Sequence, residues 1–254
     1  RGLTGVEVSA VHRGKTTDFV HRLVHEAQLI TWDDLKETVD FMFLAVHGRY
    51  AEDGTLQGLL EVLGIPYIGS GIFASALCMD KVIQKNILKH AGISVPNGIT
   101  LYPSQIDNLA QNQDILNSML MAAGIQAPYI VKPSNEGSSI GVYLVNTSDE
   151  LIHAIQTSSR ITPEHPQPVL IEERIIGMEF SCIIIYDYVS NTLIPMPPTE
   201  IAQDHEHHIF DYEQKYMPGK ALEHTPPRCS QEHIKNIQEI CCKVTDLLDV
   251  KTVS

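Results

Sequence analysis

Lys132 stands at the end of an apolar run, Tyr129-Ile130-Val131, and is followed by a polar loop, Pro133-Ser134-Asn135-Glu136-Gly137-Ser138-Ser139. A lysine rarely ends a buried strand unless an anion meets it there. The loop can present backbone N–H groups, Gly137 lets that backbone approach a ligand closely, and Ser138 and Ser139 add hydroxyl donors. A point charge beside such a loop suits a phosphate chain. The same residues also read as an ordinary hairpin with a polar loop. Gly137-Ser138-Ser139-Ile140-Gly141 matches the G-x-S-x-G of a hydrolase elbow, but that elbow needs a helix after its serine. Here Ile140 to Val145 is apolar and β-branched and predicts a second strand. A GxxxxGK[ST] phosphate loop is absent.

Other residues offer chemistry. Val169-Leu170-Ile171 predicts a strand ending on Glu172 and Glu173, and Glu179 opens a further strand through Phe180 to Tyr186. Carboxylates at such ends can accept bonds from an adenine amino group or ribose hydroxyls, or lie on a solvated edge. Lys81 reads as a solvated helix lysine when taken alone. Gly69-Ser70-Gly71-Ile72-Phe73-Ala74 matches the dinucleotide fingerprint G-x-G-x-x-A, which also wants an acidic residue about twenty positions on. None stands between Asp80 and Asp107. That weakens an NAD(H) oxidoreductase. Asp204-His205-Glu206-His207-His208 invites a metal, yet consecutive loop residues rarely converge on one ion, and a solvated loop is the reading kept. Phe210 to Tyr216 lies in a long loop whose Lys215 is a further phosphate partner, brought in by closure.

The elements that must position these groups follow the hydrophobic pattern. Val6 to Val11 alternates as a strand. Phe41 to Val46 is a continuous apolar run, as in a parallel strand covered on both faces. Leu56, Leu59, Leu60 and Leu63 form one helical stripe, with Asp53 as N-cap and Gly64 as stop. Ile65 to Ile68 completes a β-α-β unit. In an open parallel sheet ligands sit beyond the carboxyl ends of the strands, where His47 and Gly69 lie. One helix is expected to run on through Asp80-Lys81 to Gly92, with Asn108 to Met121 a polar linker helix. Thr147 and Glu150 make a capping box. His233 to Val250 is a final amphipathic helix, and Val250 to Val253 looks like a strand beginning.

A net charge of −13 argues against a nucleic-acid-binding protein, though not against the binding of a single nucleotide. At 43% hydrophobic the chain can bury a sizeable core, and no apolar run reaches the length of a membrane span. The five cysteines form no C-x-x-C pair, a pattern that favours a reducing, cytoplasmic setting. The start at Arg1 and the stop at Ser254 suggest a fragment.

Taken together, HGRYAEDGTLQG (His47 to Gly58), PYIGSG (Pro66 to Gly71), ASALCMDK (Ala74 to Lys81), VKPSNEGSSIGV, LIEERIIGMEF (Leu170 to Phe180) and FDYEQKY resemble the D-alanine–D-alanine ligase family. The blocks run in the family's order and cover most of the chain from His47 to Tyr216. The resemblance implies an N-terminal open parallel α/β domain (1–80, incomplete at its start) before an ATP-grasp fold. Its two α+β subdomains would be 81–168, central, and 169–254, C-terminal and incomplete at its end. It implies the joining of two D-alanines through an acyl phosphate for peptidoglycan precursors, with ATP and Mg²⁺ or Mn²⁺, in a cytoplasmic enzyme that forms a homodimer. Carried over by position, Lys81 and Lys132 would bind phosphates under Ser138, Glu172, Glu173 and Ile175 would line the adenine site, and Glu179 would hold the ribose. Lys215 and Tyr216 would close on the γ-phosphate and second substrate, the pair favouring a dipeptide product, and His47 would lie near that substrate. No membrane or nucleic-acid partner is implied.

Two family features lack a counterpart. The glycine-rich segment whose glutamate reads the first D-alanine has no match, and the R-x-D and E-x-N metal ligands would follow Leu248. This chain alone is therefore expected to bind nucleotide weakly and not to ligate. Another ATP-grasp carboxylate–amine ligase and a non-catalytic nucleotide-binding remnant are the competing readings.

Overall fold

The computed structural model describes residues 30–109, 112–203 and 221–252, together with His25. The expected strand at Val6 to Val11 lies outside them. Helix α1 (Trp32–Thr38) is capped by Thr31, whose Oγ1 accepts the Asp34 N–H. Strands β1 (Met42–Phe43) and β2 (Tyr67–Ile68) pair in parallel around α2 (Thr55–Leu63). The apolar run Phe41 to Val46 thus yields only two ladder residues. Ala45 N–H turns back to the Phe43 carbonyl, and β2 is bounded by Pro66 and by Gly69 at φ +128°. Leu35, Leu60 and Ile65 form the small core between these elements. Gly64, at φ +70°, ends α2, a conformation that favours glycine.

The single helix expected through Asp80 is two, α3 (Ile72–Met79) and α4 (Lys81–His90). Asp80 turns to extended backbone, and its Oδ1 accepts the Val82 and Ile83 N–H groups at 2.9 and 3.1 Å. An aspartate that caps a new helix outcompetes continuation of the old one.

Beyond α4 lies an antiparallel sheet of β3 (Gly98–Leu101), β6 (Val169–Glu173), β4 (Tyr129–Pro133) and β5 (Tyr143–Val145), in that order. Helices α5 (Pro103–Leu109), α6 (Gln113–Ala122) and α7 (Ser148–Ser159) contribute Leu109, Leu116, Leu151 and Ile155 to a core shared with Val131, Val169 and Ile171. The helix expected from Asn108 to Met121 is not a polar linker: Leu109 ends α5, α6 starts only at Gln113, and Leu116 and Leu120, four apart on one face of α6, are buried in the central core. The strand expected from Ile140 begins only at Tyr143. Ser138, Ser139 and Gly141 have φ of +51°, +57° and +72°, which breaks extended backbone before it. The Thr147–Glu150 capping box starts α7.

The strand expected from Phe180 to Tyr186 divides at Cys182-Ile183. Its first part, β7 (Glu179–Ser181), joins β10 (Thr199–Gln203) and β11 (Ala221–His224), and its second, β8 (Ile184–Asp187), pairs with β9 (Thr192–Pro195). Helix α8 (Gln231–Leu247) packs on the β8–β9 hairpin. The architecture is thus mixed: parallel α/β at the N-terminal side and antiparallel α+β beyond. Among the described residues no helix is long and apolar enough to cross a membrane.

Candidate functional site

Pleating sends Val131 and Ile171 to the helical core, and leaves Lys132, Leu170 and Glu172 on the opposite face under α4. Glu172 pairs in register with Ile130, so Lys132 is its diagonal neighbour. The Lys132 Nζ lies 2.6 Å from Glu172 Oε2. Lys85 reaches down from α4 to the other oxygen, Oε1, at 2.7 Å. Glu172 is 3% exposed, so the solvated edge is the wrong description of it. Burial, and after it the like charge of Lys132, hold the Lys85 pKa below an ordinary lysine's, with Glu172 pulling the other way.

One turn before Lys85, Lys81 starts α4. Its N–H donates to the Ser134 carbonyl at 3.1 Å, and its ammonium to the carbonyls of Ser134 and Glu136. It is not a solvated helix lysine. Ser134 is fully buried and donates its hydroxyl to Asp80 Oδ1 at 2.8 Å, so the helix start and the loop are fastened together. Gln167 holds the loop from behind, accepting the Asn135 N–H and donating to Glu136. Ser138 and Ser139 follow in left-handed backbone, with Ile140 N–H returned to the Gly137 carbonyl.

A cavity of about 480 Å³ opens between this loop and the N-terminal sheet, lined by Glu52, Gly69, Ser70, Cys78, Lys81, Glu136 and Gly137 among others. It lies beyond the carboxyl ends of β1 and β2. His47 is exposed beside it, with Nδ1 3.8 Å from Glu52 Oε1, while Glu52 Oε2 accepts the Gly48 N–H at 2.6 Å. The expected Asp53 cap is displaced by one residue. Gly54 takes the cap position at φ +90°, where a Cβ would fall 2.8 Å from the Ile72 carbonyl, while Asp53 accepts the Tyr50 and Thr55 N–H groups. The G-x-G-x-x-A turn is occupied by the far end of the chain. Thr252 Oγ1 donates to the Gly69 carbonyl at 3.2 Å, and Lys251 N–H to Ser70 Oγ at 3.1 Å.

The remaining expected residues scatter along one strand and its exit. Glu173 Oε1 accepts the Asn97 N–H at 2.7 Å, Ile175 is 64% exposed, and Glu179 begins β7. Lys215 and Tyr216, and the Asp204 to His208 run, lie outside the described residues. Among the described residues no group of three His, Cys, Asp or Glu side chains is placed to hold a metal ion.

Sequence reasoning missed Lys85, whose signal was its i+4 spacing from Lys81 on one helix face. It also missed Glu200 and Arg228. Arg228 grips the 5%-exposed Glu200 through NH2, Nε and its own N–H at 2.7, 3.1 and 2.9 Å. These hydrogen bonds push the Glu200 carboxyl down to about 2.

Comparison with known families decides what this arrangement belongs to. A model described as the D-ala D-ala ligase C-terminus matches residues 87–254, and one described as the D-ala D-ala ligase N-terminus matches residues 7–70. The chain belongs to the D-Ala D-Ala ligase family. Among the family's members, a D-alanine–D-alanine ligase of Carboxydothermus hydrogenoformans is 39% identical over 78% of this chain and 59% of its own length. One of Geobacter sulfurreducens is 36% identical over 76% of this chain and 54% of its own. The chain thus spans between half and two thirds of these relatives. Among solved structures, the VanG D-Ala:D-Ser ligase of Enterococcus faecalis superposes with a TM-score of 0.72 at 29% identity, covering 94% of this chain and 69% of the other. A Bacillus anthracis D-alanine–D-alanine ligase complexed with ATP gives 0.64 at 30% identity, over 89% and 66%. The fold is the ATP-grasp one that these family members share.

Proposed function

We propose that the chain carries the nucleotide site and part of the amino-acid site of an ATP-dependent ligase joining two D-alanines for peptidoglycan precursor synthesis in the cytoplasm. The observation that carries this is the cationic floor beside the loop: Lys132 and Lys85 on the one carboxylate of Glu172, with Lys81 at the loop's root. Two ammoniums on one carboxylate leave a unit of positive charge for an anion. The Bacillus anthracis neighbour, solved with ATP, supports ATP as that anion.

A carboxylate is a poor electrophile until phosphorylated, so the chemistry asks the protein chiefly to position groups and neutralise charge. Here Lys132 and Lys81 would hold phosphate oxygens, Ser138 would lie over them, and Glu172, Glu173 and Ile175 would flank the base, with Glu179 on the ribose. Lys215 and Tyr216 would close over the acyl phosphate and exclude water. His47 would stand at the second substrate's side of the cavity. Mg²⁺ or Mn²⁺ has no ligand set among the described residues.

The test is calorimetric titration of the 254-residue chain with ATP and with NADH. The reading expects ATP to bind and NADH not to. Binding of NADH in preference to ATP would replace it with the dinucleotide reading. A D-serine second substrate, the one the Enterococcus neighbour is named for, is separated by titrating the ATP-loaded chain with D-alanine and with D-serine.

A further inference from the structure

Two lysines meet one buried carboxylate, although one cation is enough to neutralise it. Glu172 offers Oε2 to Lys132 at 2.6 Å and Oε1 to Lys85 at 2.7 Å, and each lysine side chain is 19% exposed. The two differ in what surrounds them. Lys132 is the penultimate residue of β4 and leads directly into the Ser134–Ser139 loop. Lys85 sits instead on α4, at a small cavity of about 80 Å³ that Glu172 lines with it, together with Val82, Gly98, Thr100 and Leu170, and that no residue of the loop lines. Only Lys132 is therefore placed to turn toward an anion at the loop.

We propose that Lys85 is a positioning residue: it keeps Glu172 paired when the Lys132 ammonium leaves it for a phosphate oxygen. The inference rests on the ATP reading. Without Lys85, drawing Lys132 away would strand an unpaired carboxylate in the interior, which is strongly unfavourable, so Glu172 would compete with the nucleotide for the same ammonium. With Lys85 in place the departure leaves a neutral pair. The Lys85 pKa is lowered first by burial and then by the like charge of Lys132, and the second of these is relieved when the Lys132 ammonium goes. Glu172 is thereby a docking post whose second cation never leaves.

The test measures ATP affinity of the 254-residue chain and its variants by calorimetry, well below their melting temperatures. Lys85→Met is expected to weaken ATP by about tenfold or more, and Lys85→Arg to restore it to within about threefold, because the guanidinium keeps a positive charge for the buried Glu172 carboxylate. In a Glu172→Gln background, where no anion needs pairing, adding Lys85→Met should leave the affinity of Glu172→Gln unchanged. That comparison also serves if Lys85→Met alone does not fold. A purely structural lysine would lower the melting temperature without changing affinity, and equal affinities of Lys85→Met and the unaltered chain overturn the proposal. So does a further loss on adding Lys85→Met to Glu172→Gln. If the unaltered chain binds no ATP, the ATP reading falls and this inference with it; if it binds and Lys85→Met binds equally, only this inference falls.

Discussion

Lys132 Nζ and Glu172 Oε2 meet at 2.6 Å diagonally across the β4–β6 ladder, on the face of the sheet turned away from the main core. The lysine that sequence pattern singled out as needing an anion has one inside the chain. Removing that anion leaves two ammoniums facing each other under α4. Glu172→Ala should therefore cost about 3–5 kcal/mol, the range for breaking a buried pair from one side. Lys132→Met should cost clearly less, because Lys85 stays on Glu172. Urea denaturation of both variants checks the order, and equal losses would show that Lys85 gives no compensation.

Asp80 holds three donors with one oxygen, the N–H groups of Val82 and Ile83 and the Ser134 hydroxyl. Ser134→Ala should cost about 1–2 kcal/mol for the lost buried bond. Asp80→Ala also strips the cap from α4 and should cost about 1 kcal/mol more. Hydrogen exchange at the Lys81 amide, bonded to the Ser134 carbonyl, reports whether the loop loosens with the cap. Unchanged protection in Asp80→Ala would mean that the remaining bonds, from Gln167, the Lys81 ammonium and the Pro168 carbonyl, hold the loop without the cap.

Glu200 and Arg228 predict an acid response. The arginine's hydrogen bonds lower Glu200 from 4.5 to about 2. A carboxyl depressed by folding contributes its stability in full above its unfolded value, near 4.5, and loses it as pH falls through its folded value, near 2. Arg228→Gln should move the acid unfolding midpoint upward, with variant and unaltered chain converging below about pH 2. Circular dichroism along an acid titration measures this. A variant whose gap persists at the lowest pH would put the loss down to packing instead.

Much of the scaffold was legible because local chemistry and tertiary demand agree. Val169 to Glu173 is a strand in both, the Thr147–Glu150 box caps its helix, and Gly64 stops α2 in left-handed backbone. Errors arose where long-range contacts outvote the local pattern. Asp80 breaks an apolar helical run because Ser134, distant in sequence, gives its carboxylate a second use. Cys182-Ile183 divides one apolar run between two sheets, since β10 pairs with one half and β9 with the other. The site was legible as residue types and only partly as geometry. A strand-end lysine implies an anion, but nothing local says that the anion is Glu172 or that Lys85 shares it. Arg228 and Glu200 lie 28 positions apart, beyond the reach of any spacing rule.

Lys251 and Thr252 bond to Ser70 and Gly69, with 183 positions between the residues of the Gly69–Thr252 pair. One wall of the cavity is thus held by the last described turn of the chain. Loops of that span close late, because their contacts reward the chain only after the intervening elements have formed. On a ribosome, the N-terminal sheet and the Lys132 strand would both be outside the exit tunnel while the cavity between them still lacked that wall. Ligand capture would then wait for Lys251 and Thr252, and a nascent chain still lacking them would have an incomplete cavity in which to hold substrate.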